Sequence, residues 1–155
     1  MTTLSTGHLP ALLATSFRAV MDRVHEQLAT AGFGDVRPAH GFVFQYLSFH
    51  KTATAVGIGE HLGITKQAAV QLIDELTKRG YVERRPHPTD RRARAISLTA
   101  RGWECVERVV AAWADIEREW ATLIGPDRLG KLHDDLATLT AATSGGRPVP
   151  LRPLW

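Results

Sequence analysis

The segment "LGIT" at residues 62–65 constrains the fold most, because it ends one helix and begins another within four residues. Gly63 can adopt the left-handed conformation that terminates a helix, and Thr65 is a suitable N-cap for the next helix. That next helix, to about Arg79, carries apolar residues at i, i+3, i+4 and i+7, which are Ala69, Leu72, Ile73 and Leu76. Together with a short helix over about residues 55–62, the pattern predicts a helix-turn-helix unit.

Two short strands are predicted directly after this unit, on either side of a basic loop. Residues 81–85 and 94–98 alternate apolar and polar side chains, and the loop between them contains Pro86 and Pro88. From residue 78 to residue 101 the chain carries eight Lys or Arg and two acidic residues, a net of +6 in a chain of net charge +3. Charge of one sign focused in this way is typical of a surface that binds a polyanion.

Three motifs lie in register between residues 59 and 102: Lys78-Arg79-Gly80-Tyr81-Val82-Glu83-Arg84, Asp90-Arg91-Arg92-Ala93 and Leu98-Thr99-x-x-Gly102. They resemble the multiple-antibiotic-resistance regulator (MarR) family of bacterial transcription factors. The resemblance implies a mainly α fold with a small β-hairpin wing, that is, a winged helix-turn-helix domain plus dimerisation helices from both termini. It also implies a homodimer that places a recognition helix in the major groove and a wing in the minor groove of near-palindromic double-stranded DNA.

Periodic apolar residues predict helices on both sides of the helix-turn-helix unit. Under the resemblance, the chain has an N-terminal dimerisation helix (1–35), a winged helix-turn-helix DNA-binding region (36–100), C-terminal dimerisation helices (101–142) and an extended Pro-rich arm (143–155). The predicted dimer contacts in the last helix are Leu129, Leu132, Leu136 and Leu139. The arm from Arg147 to Trp155 is expected to pack along the dimer, with a disordered tail as the alternative.

The face of the recognition helix opposite its buried stripe is the candidate surface for reading bases. Its candidates are Thr65, Lys66, Gln67, Val70 and Gln71. Gln can pair with adenine, Lys reaches guanine or phosphate, and an aliphatic group suits the thymine methyl. Thr65 is an N-cap first, with neighbouring N–H groups that can hold a phosphate. The alternative for Val70 is packing against the wing or the first helix of the unit.

The arginines of the basic loop are the candidate backbone and minor-groove contacts. In the family pattern Arg92 enters the minor groove and Asp90 orients it, whereas Arg84, Arg85 and Arg91 are better placed for phosphates. An effector pocket between the winged region and the dimerisation helices is a further candidate. Its predicted lining is Phe17, Met21, His40, Phe44 and Trp113, which would fill a core equally well. Such a lining favours a small, planar aromatic or weakly anionic organic effector over a metal.

The sequence gives little support to an enzyme. Its seven His are scattered without a metal-binding or catalytic spacing, so no catalytic residue, metal or cofactor is predicted. Cys105 is the only cysteine, and a buried, inert thiol is expected. With no secretory signal and no membrane helix in the pattern, a cytoplasmic regulator, most simply a repressor, is expected. The alternatives are a nonspecific architectural DNA-binding protein and a protein-interaction adaptor that uses "PLRP" at residues 150–153.

Overall fold

A computed structural model describes residues 8–152 of the chain. In chain order the elements are α1 (Leu9–Leu28), a π-helical turn (Ala29–Phe33), α2 (Pro38–Phe49), α3 (Ala55–Leu62), α4 (Lys66–Lys78), β1 (Val82–Pro86), β2 (Arg94–Leu98), α5 (Ala100–Ile124) and α6 (Pro126–Ser144). The predicted fold class, mainly α with one β-hairpin, is confirmed. No helix in the described part of the chain is long and apolar enough to span a membrane.

The helix-turn-helix unit consists of α3 and α4, and Thr65 and Gly63 have the roles expected from the sequence. The Thr54 hydroxyl accepts from the Gly57 N–H at 3.2 Å, and the Thr65 hydroxyl accepts from the Ala68 N–H at 3.1 Å. Gly63 ends α3 with a φ of +70°. At Gly59, a Cβ would lie 3.1 Å from the Ile64 carbonyl oxygen and 3.5 Å from the Ala69 Cβ. The small residue therefore lets the turn and α4 approach α3 closely.

The β1–β2 hairpin, called the wing below, is antiparallel and pairs Val82 with Leu98 and Arg84 with Ile96. Ile96 also donates its N–H to the Ala53 carbonyl at 2.7 Å, which forms an isolated bridge between the wing and the segment before α3. The first strand begins one residue later than predicted, at Val82, because Tyr81 is part of the junction with α4. Its N–H donates to the Leu76 carbonyl at 2.9 Å.

Tyr81 forms the centre of the core between the winged region and α5. Its ring is fully buried, with centroids 5.4 Å from Phe44 and 6.2 Å from Phe33. The hydroxyl donates to the Asp35 carboxylate at 2.6 Å, and the Arg101 guanidinium lies 4.7 Å from the ring centroid. Burial and the bond to Asp35 raise the pKa of Tyr81 to about 12. The phenol therefore stays protonated and fixes the loop before α2 to the start of α5.

The two ends of the described chain are much less buried than its centre. Residues 9–19 of α1 are exposed throughout, and α6 contains no buried residue. Several of the exposed side chains on α1, α5 and α6 are large and apolar: Leu9, Leu12, Leu13, Phe17, Trp120, Leu123, Leu132 and Leu139. An apolar surface of this extent is unusual for a protein that functions as a monomer.

The C-terminal arm begins slightly later than predicted, because α6 continues to Ser144. Gly145 and Gly146 follow with φ values of +62° and +76°, a region that favours glycine. The arm is described as far as Arg152, and it carries no regular secondary structure. The expected packing of Pro153, Leu154 and Trp155 lies outside the described residues.

Candidate nucleic-acid interface

The predicted base-reading residues occupy the exposed side of α4. Thr65, Lys66, Gln67 and Gln71 are exposed, whereas Ala69, Ile73 and Leu76 on the opposite side are fully buried. Val70 is half-buried, so part of its surface packs within the protein and part faces solvent. The arrangement offers two amides, an ammonium group and a partly accessible aliphatic group on one helix face, a set that can contact base edges in a major groove.

Two of the predicted phosphate-binding arginines already have acidic partners on the protein. Arg84 forms a salt bridge with Asp74 of α4, and Arg85 lies 2.6 Å from the Glu83 carboxylate. The Arg84–Asp74 pair joins the wing to the recognition helix across ten positions of sequence. Arg84 therefore fixes the wing against α4 in addition to carrying a charge.

The arginines at the tip of the wing are different. Arg91 and Arg92 are exposed, and their guanidinium groups form no salt bridge or hydrogen bond with any described residue. The Asp90 carboxylate accepts from the backbone N–H of Arg92 at 2.9 Å. The expectation that Asp90 orients the Arg92 guanidinium therefore needs correction. Asp90 holds the backbone of the turn, and the guanidinium remains available for an external anion.

His87 is a structural residue of the wing tip that the sequence did not single out. Its Nδ1 accepts from the backbone N–H of Asp90 at 3.1 Å and of Thr89 at 3.3 Å. The backbone N–H of His87 donates to the Ala93 carbonyl at 3.3 Å. Because these bonds close both sides of the loop, the tip presents Arg91 and Arg92 from an ordered turn.

His40 lies at the start of α2, and it does not line the cavity for which it was predicted. Its ring is fully buried, and Nδ1 accepts from the Arg37 N–H at 3.0 Å. Since Nδ1 is an acceptor, the neutral ring carries its proton on Nε2, which donates to the Glu75 carboxylate of α4 at 3.2 Å. Arg37 also forms a salt bridge with Glu75. Burial lowers the pKa of His40, so it is a neutral positioning residue for the recognition helix.

The other four predicted pocket residues, Phe17, Met21, Phe44 and Trp113, line one cavity of about 190 Å³. Gln45 and Ser48 contribute polar groups to its lining, and Leu151 of the C-terminal arm also belongs to it. Two further polar atoms of lining residues, His25 Nε2 and Trp113 Nε1, are buried without a hydrogen-bond partner among residues 8–152. Burial lowers the pKa of His25, so its ring is neutral near pH 7. The cavity is thus mostly apolar and aromatic.

The predicted dimer contacts lie beside an open apolar groove between α1, α5 and α6. Leu132 and Leu136 line this groove together with Leu12 and Trp120, and Leu132 is 42% exposed. Leu139 is 52% exposed, whereas Leu129 is half-buried, and neither lines the groove. The structure therefore brings two of the four leucines to the same surface as the exposed face of α1.

Comparison with known proteins identifies this architecture. The sequence model of the MarR family matches residues 35–93, which include the helix-turn-helix unit, β1 and the wing tip. The resemblance to the MarR family is confirmed. No curated protein matches the chain. The motifs that carry the MarR resemblance also have a structural basis, since the Thr99 hydroxyl donates to the Gly80 carbonyl at 2.6 Å and accepts from the Gly102 N–H at 3.1 Å.

Solved structures agree with the MarR fold over most of the chain. RV1404 from Mycobacterium tuberculosis has a TM-score of 0.77 at 22% identity, covering 92% of this chain and 97% of that chain. Wild-type MarR from E. coli in its apo form has a TM-score of 0.68 at 23% identity, covering 84% and 96%. A mutant of MepR from S. aureus, bound to an oligodeoxyribonucleotide, has a TM-score of 0.63 at 18% identity, covering 86% and 96%. At these identities the likeness concerns the fold.

Proposed function

We propose that this MarR-type protein is a DNA-binding transcription regulator that acts as a homodimeric, ligand-responsive repressor on a near-palindromic site. The observation that carries the proposal is the ordered wing tip, where the guanidinium groups of Arg91 and Arg92 have no acidic partner among residues 8–152. The wing is joined to α4 through Arg84 and Asp74. Recognition helix and wing tip therefore belong to one connected surface, whose focused positive charge suits a DNA duplex.

Sequence readout is assigned to the exposed face of α4 and to Arg92. Gln67 and Gln71 carry the amide groups that pair with adenine in the major groove, and Lys66 reaches guanine or phosphate. A guanidinium on a narrow loop suits the negative potential of a narrow minor groove. Arg85 and Arg91 are assigned to phosphates, which position the protein without specifying sequence.

The homodimer is supported by the exposed apolar surface at the two ends of the described chain. Leu12 of α1 is 60% exposed, Leu123 of α5 is 78% exposed and Leu139 of α6 is 52% exposed. A second copy can cover such a surface with the same surface of its own. A two-fold axis then places two recognition helices on successive turns of DNA, which is why a near-palindromic site is proposed.

Ligand response is proposed from the position of the 190 Å³ cavity. Its walls come from α1 and α5 on one side and from α2 on the other, so a bound molecule contacts both the proposed dimer helices and the DNA-binding region. An aromatic lining with few polar groups fits a planar, weakly anionic organic molecule. Such a ligand alters DNA affinity if it binds one relative arrangement of the dimer helices and the DNA-binding region more tightly than another.

Selection of bound sequences from random DNA duplexes tests the proposal directly. We expect a near-palindromic consensus, and a ratio of specific to nonspecific affinity near one would instead favour an architectural protein. The absence of DNA binding would favour the alternative of a protein-interaction adaptor. Gln71→Ala should change the preferred base at one symmetric pair of positions, and an unchanged consensus would remove Gln71 from base readout.

The role of Arg92 is tested by comparing Arg92→Ala with Arg85→Ala on the selected duplex at one fixed salt concentration. Arg92→Ala should cost about 1–3 kcal/mol of binding free energy and reduce discrimination in the flanking minor groove. Arg85→Ala should weaken binding to all duplexes about equally, since it removes a phosphate contact. Equal and sequence-independent losses in both variants would show that Arg92 is a phosphate contact as well.

A further inference from the structure

The C-terminal arm turns back on the chain directly after α6. The N–H groups of Gly145 and Gly146 donate to the carbonyls of Ala142 at 3.3 Å and Ala141 at 2.8 Å. The N–H of Arg147 donates to the Ser144 carbonyl at 3.3 Å. These bonds close the last turn of α6, and the two left-handed glycines reverse the direction of the chain. The prolines at 148 and 150 then restrict the arm to few conformations.

Beyond this turn the arm reaches the DNA-binding region of its own chain. Leu151 is half-buried, packs against the hydrophobic core and lines the 190 Å³ cavity. Arg152 Nη1 lies 3.0 Å from the position that a Cβ on Gly63 would occupy. Gly63 is the left-handed residue between α3 and α4, so the guanidinium rests on the turn of the helix-turn-helix unit.

His61, at the end of α3, also lies close to the arm. Burial lowers the pKa of His61, and the charges of His50 and Arg152 lower it further, whereas the backbone of Leu151 acts in the opposite direction. Its ring lies 4.6 Å from the ring of Tyr46, on α2. Leu151 therefore approaches the cavity from the region where α3 meets the end of α2. Phe49, at that end of α2, lines the same cavity and is 77% exposed.

We propose that residues 147–152 of the C-terminal arm form an intramolecular gate for this cavity, with Leu151 as the side chain that occupies its entrance and Arg152 as the contact on Gly63. The inference rests on the effector cavity of the proposed function and adds how access to it is controlled. A ligand that enters must displace Leu151. When the arm leaves, the link between α6 and the turn of the helix-turn-helix unit is lost as well.

The gate is tested with a fluorescent probe, anilinonaphthalene sulfonate, which is aromatic, planar in part and anionic. Leu151→Gln replaces the side chain at the cavity entrance by a polar one of similar size. Val149→Gln is the matched control, since Val149 is 59% exposed and does not line the cavity. We expect Leu151→Gln to bind the probe about threefold tighter or more, because a competing closed state lowers apparent affinity by the open fraction. Val149→Gln should match the wild type. Equal affinities in all three proteins, weaker binding by Leu151→Gln or no binding by that variant would overturn the gate.

Docking of the arm is measured without any ligand from the backbone amide signal of Gly63 in a nitrogen–proton correlation spectrum. Leu151→Gln should move this signal, whereas Val149→Gln should leave it at the wild-type position. An unchanged signal in Leu151→Gln would overturn the docking. In mixed dimers of labelled Leu151→Gln and unlabelled wild type, the moved signal should persist. Its return to the wild-type position would place the arm on the partner and overturn the intramolecular gate.

These readouts separate the gate from the proposed regulator. The probe titration and the Gly63 signal require no DNA, so failure to select any duplex would remove the regulator and leave both results interpretable. Conversely, a specific DNA site together with an unmoved Gly63 signal would retain the regulator and remove the gate.

Discussion

Replacing Gly102 by alanine should destabilise the protein, although alanine is the better helix former. Gly102 is a buried residue in the first turn of α5. A Cβ at this position would lie 2.3 Å from the Tyr81 carbonyl oxygen and 2.9 Å from Leu98 Cδ2. The same carbonyl already accepts from the Thr99 N–H at 3.0 Å. Since the closest atom belongs to the backbone, no side-chain rotation can relieve the clash.

The magnitude follows from two opposing effects. Helix propensity favours alanine over glycine by about 1 kcal/mol inside a helix. Overpacking of a rigid site costs about 1–3 kcal/mol and occasionally more, and a shift of the junction weakens the Thr99 cap, which is worth about 1 kcal/mol. The clash therefore dominates, and we expect a net loss of about 1–3 kcal/mol in the free energy of unfolding.

Urea unfolding at one fixed protein concentration measures this loss, and Gly130→Ala is the matched control. Gly130 lies inside α6, and a Cβ there would meet no described atom within 4 Å. Gly130→Ala should stabilise the protein by about 0.5–1 kcal/mol, because only the propensity effect acts. If Gly102→Ala is as stable as the wild type or more stable, the close approach of Tyr81 does not constrain this position and the reasoning is wrong.

Two further predictions concern assembly and pH. Leu136→Glu should separate or unfold the proposed dimer, because it places an unpaired carboxylate in the apolar groove. The control Thr138→Glu should remain dimeric in light scattering. An unchanged Leu136→Glu dimer would exclude this part of α6 from the interface. Burial lowers the pKa values of His25, His40 and His61 below their ordinary 6.5. The unfolded chain therefore binds protons first as the pH falls. The free energy of unfolding should decrease below pH 6.5 until the lowered pKa values of the folded state are reached. His40→Asn should make the decrease shallower in urea titrations at several pH values, and a free energy of unfolding that stays constant over this range would contradict the assignment of buried neutral rings.

The elements could be predicted from the sequence wherever local chemistry decides them. Thr65 caps the helix that was expected after it, and Gly63 ends α3 in the left-handed conformation. Cys105 is fully buried, as expected, and burial raises the pKa of its thiol to about 11. These features depend on a few neighbouring residues or on one apolar face, so periodicity and residue type were sufficient.

The candidate site was less predictable, because its polar contacts join distant or unexpected atoms. The bond between His40 and Glu75 spans 35 positions, and no pattern in the sequence relates the two residues. The role of Asp90 depends on whether its carboxylate meets the backbone or the side chain of Arg92, which residue type alone does not decide. Likewise, the net charge of the loop did not distinguish Arg84, which pairs with Asp74, from the tip arginines, which form no ion pair within the described part of the chain.

The same polar contacts relate the cavity to the proposed DNA-binding surface. Phe44 and Gln45 of α2 line the cavity, and the start of the same helix holds α4 through the bonds of Arg37 and His40 to Glu75. On its exposed side α4 holds the wing through Asp74 and Arg84. A displacement of α2 by a ligand would therefore act on a recognition helix and a wing that are tied together. If the proposed DNA contacts of α4 and the wing must match successive grooves, we expect a small movement of α2 to weaken binding.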